Sequence, residues 1–192
     1  MMKKIVLGSG SPRRAQLLKE MGFQFEVRPS DIDEIVPEEI GAIASAEFLA
    51  RLKNEHLMPA EDEIILTADT VVIYKNEILG KPVDKEEAKS MLTQLSDQAH
   101  LVISGVCIRD IKQTISFSTT TEVKFKELSP EEIDFYVEEF KPLDKAGAYG
   151  IQEWIGLVAV EWIKGSYFNV VGLPCDQVYH HLTLDFGINI SK

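Results

Sequence analysis

Short apolar runs alternate along this chain with stretches whose apolar residues recur at helical spacing, and that alternation points to an α/β fold. Residues 3–8 read as a buried strand centred on Ile5, Val6 and Leu7. The next stretch places Leu17, Leu18 and Met21 on one helical face and stops at Gly22. Residues 24–28 form a second strand closed by Pro29, and an acidic, polar loop follows over 30–37. A helix over 44–56 buries Phe48, Leu49 and Leu52, and residues 64–68 return to strand. Residues 71–74 and 77–79 flank Lys75-Asn76, the pattern of a hairpin.

After Pro82, Asp84 and Glu87 stand at capping-box spacing ahead of an apolar stripe of Ala88, Met91, Leu92 and Leu95. Two long strands follow, 100–109 and 115–126. In the second, Val123 and Phe125 alternate with Glu122, Lys124 and Lys126, so one face is wet. Ser129-Pro130-Glu131-Glu132 opens a helix that buries Ile133, Tyr136, Val137 and Phe140. Residues 147–152 read as a loop and short strand, 157–163 and 167–171 as strands, and 174–186 as a last helix. Internal repeats and low-complexity runs are missing from the 192 residues. The expected architecture is a mixed, twisted sheet flanked by helices.

The chain carries 20 Lys and Arg against 31 Asp and Glu, a net charge of −11. Such a surface repels polymeric nucleic acid and anionic lipid, so neither a nucleic acid nor a membrane is expected as a partner. A small anion needs a local concentration of basic residues, which makes each Arg and Lys position informative. Cys107 and Cys175 read as free thiols of a reducing compartment, with one disulfide as the alternative. His180-His181 reads as a surface pair. The apolar run after Met1-Met2-Lys3-Lys4 is too short for a signal peptide, and the expected location is the cytoplasm.

The first helix start breaks a local rule. Ser11 stands as N-cap and Pro12 as first helical residue, both favoured. The next two positions favour acids, because a helix N-terminus carries partial positive charge, yet they are Arg13 and Arg14. Asp84 is followed by Glu86-Glu87 and Ser129 by Glu131-Glu132, so the other capped helices obey the rule. Each arginine costs about 0.3–1 kcal/mol when exposed, and an uncompensated violation marks a candidate functional site. A phosphate compensates it: Ser9 and Ser11 hydroxyls, free backbone N–H groups and two guanidiniums converge there, and Gly10 permits close approach. Pairing of both arginines with carboxylates is the competing reading. The segment is not a Walker A loop, since Gly80-Lys81 is followed by Pro82, and no GxGxxG occurs.

Asp69, in Ala68-Asp69-Thr70, is placed at the end of an apolar strand, where ligands of open α/β sheets bind. A carboxylate there can hold Mg²⁺, orient water or take a proton; a turn-capping Asp is the alternative. Asp31, Asp33 and Glu34 offer further oxygen ligands, or form a solvated acidic loop. Lys53 and Lys81 are candidate phosphate contacts, but taken alone each reads as a surface lysine, and they gain weight only from the resemblance given next.

Taken together, Ser9-Gly10-Ser11-Pro12-Arg13-Arg14, Ala68-Asp69-Thr70-Val71-Val72, Leu79-Gly80-Lys81-Pro82, Met91-Leu92 with Leu95-Ser96, residues 144–152 (DKAGAYGIQ), Gly165-Ser166-Tyr167 and Val171-Gly172-Leu173-Pro174 resemble the Maf family of nucleoside triphosphate pyrophosphatases. The segments occur in the family's order over almost the whole chain. The resemblance implies an elongated Maf/ITPase-like α/β fold, one domain over residues 1–192 with two lobes around a central cleft, often as a homodimer. It implies hydrolysis of a nucleoside triphosphate between the α and β phosphates with a divalent cation, Mg²⁺ or Mn²⁺. Asp69 matches the catalytic carboxylate, and Arg13, Thr70 and Gln152 match positions of substrate choice. Ser9, Arg14, Glu34, Lys53 and Lys81 match the phosphate and metal end, which assigns phosphate contact to Ser9, Ser11, Arg13, Arg14, Lys53 and Lys81, and metal to Glu34 and Asp69.

The DKAGAYGIQ string resembles the branch acting on dTTP and UTP, and modified pyrimidine nucleotides fall within the same expectation. Gln152 offers a donor and an acceptor to the imide edge of uracil or thymine. Alternatives are a 7-methyl-GTP pyrophosphatase and a nucleotide-binding regulator of septum formation and cell division. Gly8, Ser96-Asp97, Ser104 and Glu153-Trp154 depart from the usual family pattern.

Overall fold

The computed structural model describes residues 3–30, 32–37 and 39–190. The first apolar run forms β1 (Lys4–Leu7), with Ile5, Val6 and Leu7 all buried, as a strand covered on both faces requires. Its parallel neighbours are β2 (Phe25–Val27) and β3 (Glu63–Tyr74), with Ile5 opposite Phe25 on one side and Ile64 on the other. Parallel pairing needs a crossover, and α1 (Pro12–Glu20) supplies it between β1 and β2. α2 (Ala42–Glu55) lies between β2 and β3 in the chain. Residues 64–68 and 71–74 are not two strands: β3 runs unbroken through Asp69. It turns at Lys75 and Asn76, with φ of 48° and 66°, into antiparallel β4 (Glu77–Leu79), the expected hairpin.

The remaining elements are α3 (Lys85–Leu95), β5 (Ala99–Arg109), β6 (Thr114–Phe125), α4 (Pro130–Phe140), α5 (Trp154–Val158), β7 (Val160–Lys164), α6 (Tyr167–Val171) and α7 (Cys175–His180), which continues into a π-helical turn at His181–Asp185. Seven strands form one mixed sheet in the order β2-β1-β3-β5-β6-β7, with β4 on β3. The residues gather into two compact units. One comprises the chain up to Asp69, Ser104–Thr119 and the residues from Gly172 on; the other comprises Thr70–Ile103 and Thr120–Val171. Ile5, Leu18, Ile64, Leu66, Ile108 and Val178 belong to the core of the first; Leu92, Leu95, Val102, Phe125, Tyr136 and Val137 belong to that of the second.

Three segments differ from expectation. Residues 167–171 form α6 rather than a strand: Asn169 N–H bonds Ser166 Oγ at 3.3 Å, and the helical turn buries the Asn169 amide, which donates to Val102 O and Thr121 Oγ1 at 3.0 and 2.9 Å. The expected strand over 157–163 is preceded by α5 and starts only at Val160. A short 3₁₀ turn at Ala146–Ala148 and a tight turn stand where a strand was expected in 147–152. The caps behave as read, with one difference. Ser129 and Glu132 make the full box, whereas the Glu87 carboxylate accepts from Val83 N at 2.6 Å rather than from the Asp84 N–H. Cys107 and Cys175 are both free thiols. Among the described residues no helix is long and apolar enough to cross a membrane.

The buried face of α2 is also shifted. It consists of Ser45, Ala46, Leu49, Ala50, Lys53 and Asn54, while Phe48 and Leu52 stay partly exposed. The small residues are needed because α2 lies directly on the β5 backbone at Gly105, where an added methyl group would sit 2.2 Å from Ala46 C and Glu47 N. The Asn54 amide then bonds Ile65 O and Cys107 O at 3.1 and 3.0 Å, and Thr67 Oγ1 bonds Ala50 O at 2.6 Å. These bonds fix the last turn of α2, and with it Lys53. Gly105→Ala is expected to destabilise the protein by about 3 kcal/mol or more, because the obstructing atoms are backbone and cannot rotate away. Urea unfolding measures it; a variant as stable as the parent contradicts this packing.

Candidate active site

The site is built at the turn between β1 and α1. Ser11 has the extended backbone of an N-cap, but its side chain makes no capping bond, and the first turn of α1 holds no acid. In α3 and α4 the equivalent positions are occupied, by Asp84 accepting from Glu87 N and by Ser129 accepting from Glu132 N. The start of α1 therefore lacks the side-chain cap that α3 and α4 carry. Ser9 Oγ accepts from Ser11 N at 3.3 Å and from Arg14 Nη1 at 3.1 Å. A hydroxyl that accepts twice still has its proton to donate. Arg14 Nε donates to Gly172 O at 2.9 Å, so the guanidinium is held from two sides.

Arg14 is partly buried, and desolvation draws its guanidinium below the ordinary arginine value. The charge of Asp69 opposes that shift, Arg13 adds to it, and Glu34 opposes it again. Arg13, Arg14, Glu34 and Asp69 thus share one electrostatic neighbourhood.

Lys53 joins the carboxylates. From the last turn of α2 its Nζ donates to Asp69 Oδ1 at 2.6 Å and lies 2.8 Å from Glu34 Oε1. Lys53 and Asp69 are buried, at 8% and 7% exposure, whereas Glu34 is exposed. Asp69 does not end its strand, contrary to expectation. β1 stops at Leu7 opposite Leu66, and β3 continues past it, so Asp69 lies beyond the carboxyl end of its parallel neighbour but inside its own strand. Asp is a poor strand former, which is why the sequence reads as a break there; the ion pair with Lys53 is what offsets its burial.

In the first unit the structure brings together Ser9, Ser11, Arg13, Arg14, Glu34, Lys53 and Asp69. Asp33 is exposed, and Asp31 lies outside the described residues. Thr70, Lys81 and Gln152 belong to the second unit. There Lys81 and Gln152 are exposed, and Gly147 N bonds Gly80 O at 3.0 Å, which docks the 146–148 turn on the Gly-Lys-Pro turn. Among the described residues, no three of His, Cys, Asp and Glu form a self-sufficient metal site.

Sequence reasoning missed several contributors. Gly172 O, which orients Arg14, is a backbone group 158 residues away and left no signal. Asn54, which anchors the turn carrying Lys53, was one polar residue beside a predicted apolar face. Lys145 stood in the motif string, but nothing in it showed a buried lysine paired to Glu153.

The family model for Maf-like proteins matches residues 4–184. A dTTP/UTP pyrophosphatase of Parabacteroides distasonis is 48% identical over 182 residues, covering 93% of this chain and 94% of that protein. One from Flavobacterium johnsoniae is 46% identical over 182 residues, covering 94% of each. A solved HAM1 protein from Coxiella burnetii shares the fold with a TM-score of 0.52 at 15% identity, covering 95% of this chain and 99% of that one. An uncapped, doubly basic helix start beside a lysine-bridged carboxylate pair, and matches of this extent, establish that the chain belongs to the Maf family.

Proposed function

We propose that this protein is a nucleoside triphosphate pyrophosphatase that converts dTTP and UTP to the monophosphate and pyrophosphate. One observation carries the proposal: Lys53 joins Asp69 and Glu34 next to a helix start that presents Arg13 and Arg14. That pairing of anion-binding and acid groups suits a charged phosphate chain and a water to attack it.

The donor set fits a magnesium or manganese ion. Asp69 and Glu34 are hard oxygen ligands that already converge on one cationic group, and Mg²⁺ ordinarily takes one or two carboxylates and completes its shell with water and substrate phosphates. Asp69 and Glu34 would hold the ion. When bound, it supplies positive charge to the phosphate oxygens as negative charge develops on them.

The protein's own groups perform the rest. Arg13, Arg14 and the N–H groups opening α1 hold phosphate oxygens, with the Ser9 and Ser11 hydroxyls as further donors. Lys53 donates to Asp69 and fixes its orientation. Asp69 orients the water and accepts its proton as the water oxygen bonds to the α-phosphorus and the α–β bridging bond breaks. Pyrophosphate leaves with the bond's electrons. Lys81 is assigned a phosphate contact, and Thr70 and Gln152 the choice of base, through the family resemblance.

The test is a panel of dTTP, UTP, CTP, purine triphosphates and 7-methyl-GTP with Mg²⁺, read by product. Pyrophosphate and monophosphate are expected, with dTTP and UTP preferred and activity abolished by EDTA. Orthophosphate release, or binding without turnover, refutes the proposal.

A further inference from the structure

Gln152 stands in a four-residue turn that is held shut from behind. Glu153 N bonds Gly150 O at 2.9 Å, closing residues 150–153. The ends of this turn share one additional partner, the Tyr136 hydroxyl. It accepts from Gly150 N at 3.0 Å and donates to Glu153 Oε2. Tyr136 is fully buried in α4, so it cannot itself touch a substrate. Burial, reinforced by the Glu153 carboxylate, pushes its hydroxyl far above the ordinary tyrosine value, so it remains a donor. Lys145, buried at 8% exposure, neutralises the carboxylate from the other side: its Nζ lies 3.1 Å from Glu153 Oε1. Glu153 sits at the N-cap position of α5 but makes no side-chain cap bond, since its carboxylate is committed to Tyr136 and Lys145. The surrounding groups are pinned while Gln152 is exposed.

Gln152 Nε2 and the Glu153 carboxylate both border Gly150: a methyl group there would lie 3.0 Å from Gln152 Nε2 and 3.1 Å from Glu153 Oε2. Where the turn holds Gln152 decides which base edge its amide can meet. Uracil and thymine present N3–H as a donor, whereas cytosine presents N3 as an acceptor. A side-chain oxygen held at N3–H favours uracil and thymine; a turn free to shift lets the amide serve either base.

We propose that Tyr136, Glu153 and Lys145 are positioning residues that fix the Gln152 turn, and so set the preference for imide-bearing pyrimidines over cytosine. The inference rests on the reading that Gln152 meets the base.

The experiment compares kcat/KM for UTP and CTP, whose sugars and phosphates are identical. The ratio does not depend on the folded fraction of a variant. Gln152→Ala is expected to lower the UTP/CTP ratio about tenfold, the worth of roughly one hydrogen bond. Tyr136→Phe is expected to lower it comparably, chiefly through KM, and to add nothing in the Gln152→Ala background, because both act on one contact. Glu153→Ala is expected to do the same. Glu153→Gln, which still accepts from Tyr136, is expected to restore part of the ratio. A parental ratio in Tyr136→Phe and Glu153→Ala, with Gln152→Ala lowered, overturns the positioning roles alone. A parental ratio in Gln152→Ala overturns the base-reading role beneath them and the proposal with it.

Discussion

Asp69→Asn is expected to fold normally and to lose about 10²–10⁴-fold in turnover, the range associated with a positioned acid–base group. The substitution preserves shape and leaves an amide oxygen to accept from Lys53 Nζ, now 2.6 Å from Asp69 Oδ1. Glu34, 2.8 Å from the same Nζ, remains as counter-charge. The cost in stability should therefore be about 1 kcal/mol, that of weakening one charged hydrogen bond. An amide cannot take the proton of an attacking water, and it is a poorer partner for a hard cation. Steady-state pyrophosphate release together with urea unfolding separates the two effects. Near-parental turnover removes Asp69 from the mechanism.

Lys53→Met is expected to damage both properties. Lys53 and Asp69 are buried together, and removing one partner of such a pair leaves an uncompensated buried charge, at a cost of about 3 kcal/mol or more. Arg14, whose electrostatic field includes Asp69, offsets part of this but is committed to Ser9 Oγ and Gly172 O. Turnover should fall at least tenfold, because Asp69 loses the contact that orients it. The double variant Lys53→Met/Asp69→Asn is expected to unfold at higher urea than Lys53→Met alone, since it carries no orphaned carboxylate. Independent, additive losses in that cycle would contradict direct coupling between the two side chains.

The parts legible in the sequence are those encoded by local patterns. Ile5-Val6-Leu7 as a buried strand, the Lys75-Asn76 hairpin and the Ser129 capping box each depend on residues within a few positions of one another. The anomaly at Arg13-Arg14 was visible for the same reason, since helix ends have residue preferences that two arginines violate. Residues 167–171 misled because Tyr, Phe and Val favour strands, and only the burial of Asn169 against Val102 and Thr121 shows why a helix wins.

The chemistry itself depends on pairings that the chain does not announce. Lys53 and Asp69 are 16 residues apart on a helix and a strand, and they meet because Gly105 lets α2 lie flat on β5. Tyr136 and Glu153 are 17 residues apart, and the unusual glutamate was visible without the tyrosine that gives it a role. In the first case a lysine that looked like surface in the sequence is buried against a specific partner; in the second a partly buried glutamate is held by a tyrosine from the expected core face of α4.

Isotope tracing addresses the reaction most directly. Hydrolysis of dTTP in ¹⁸O-labelled water, followed by mass analysis of both products, reports which phosphorus the water attacked. One labelled oxygen in the nucleoside monophosphate and none in the pyrophosphate is the predicted result. Label in the pyrophosphate, or in free orthophosphate, contradicts attack at the α-phosphorus by water activated at Asp69.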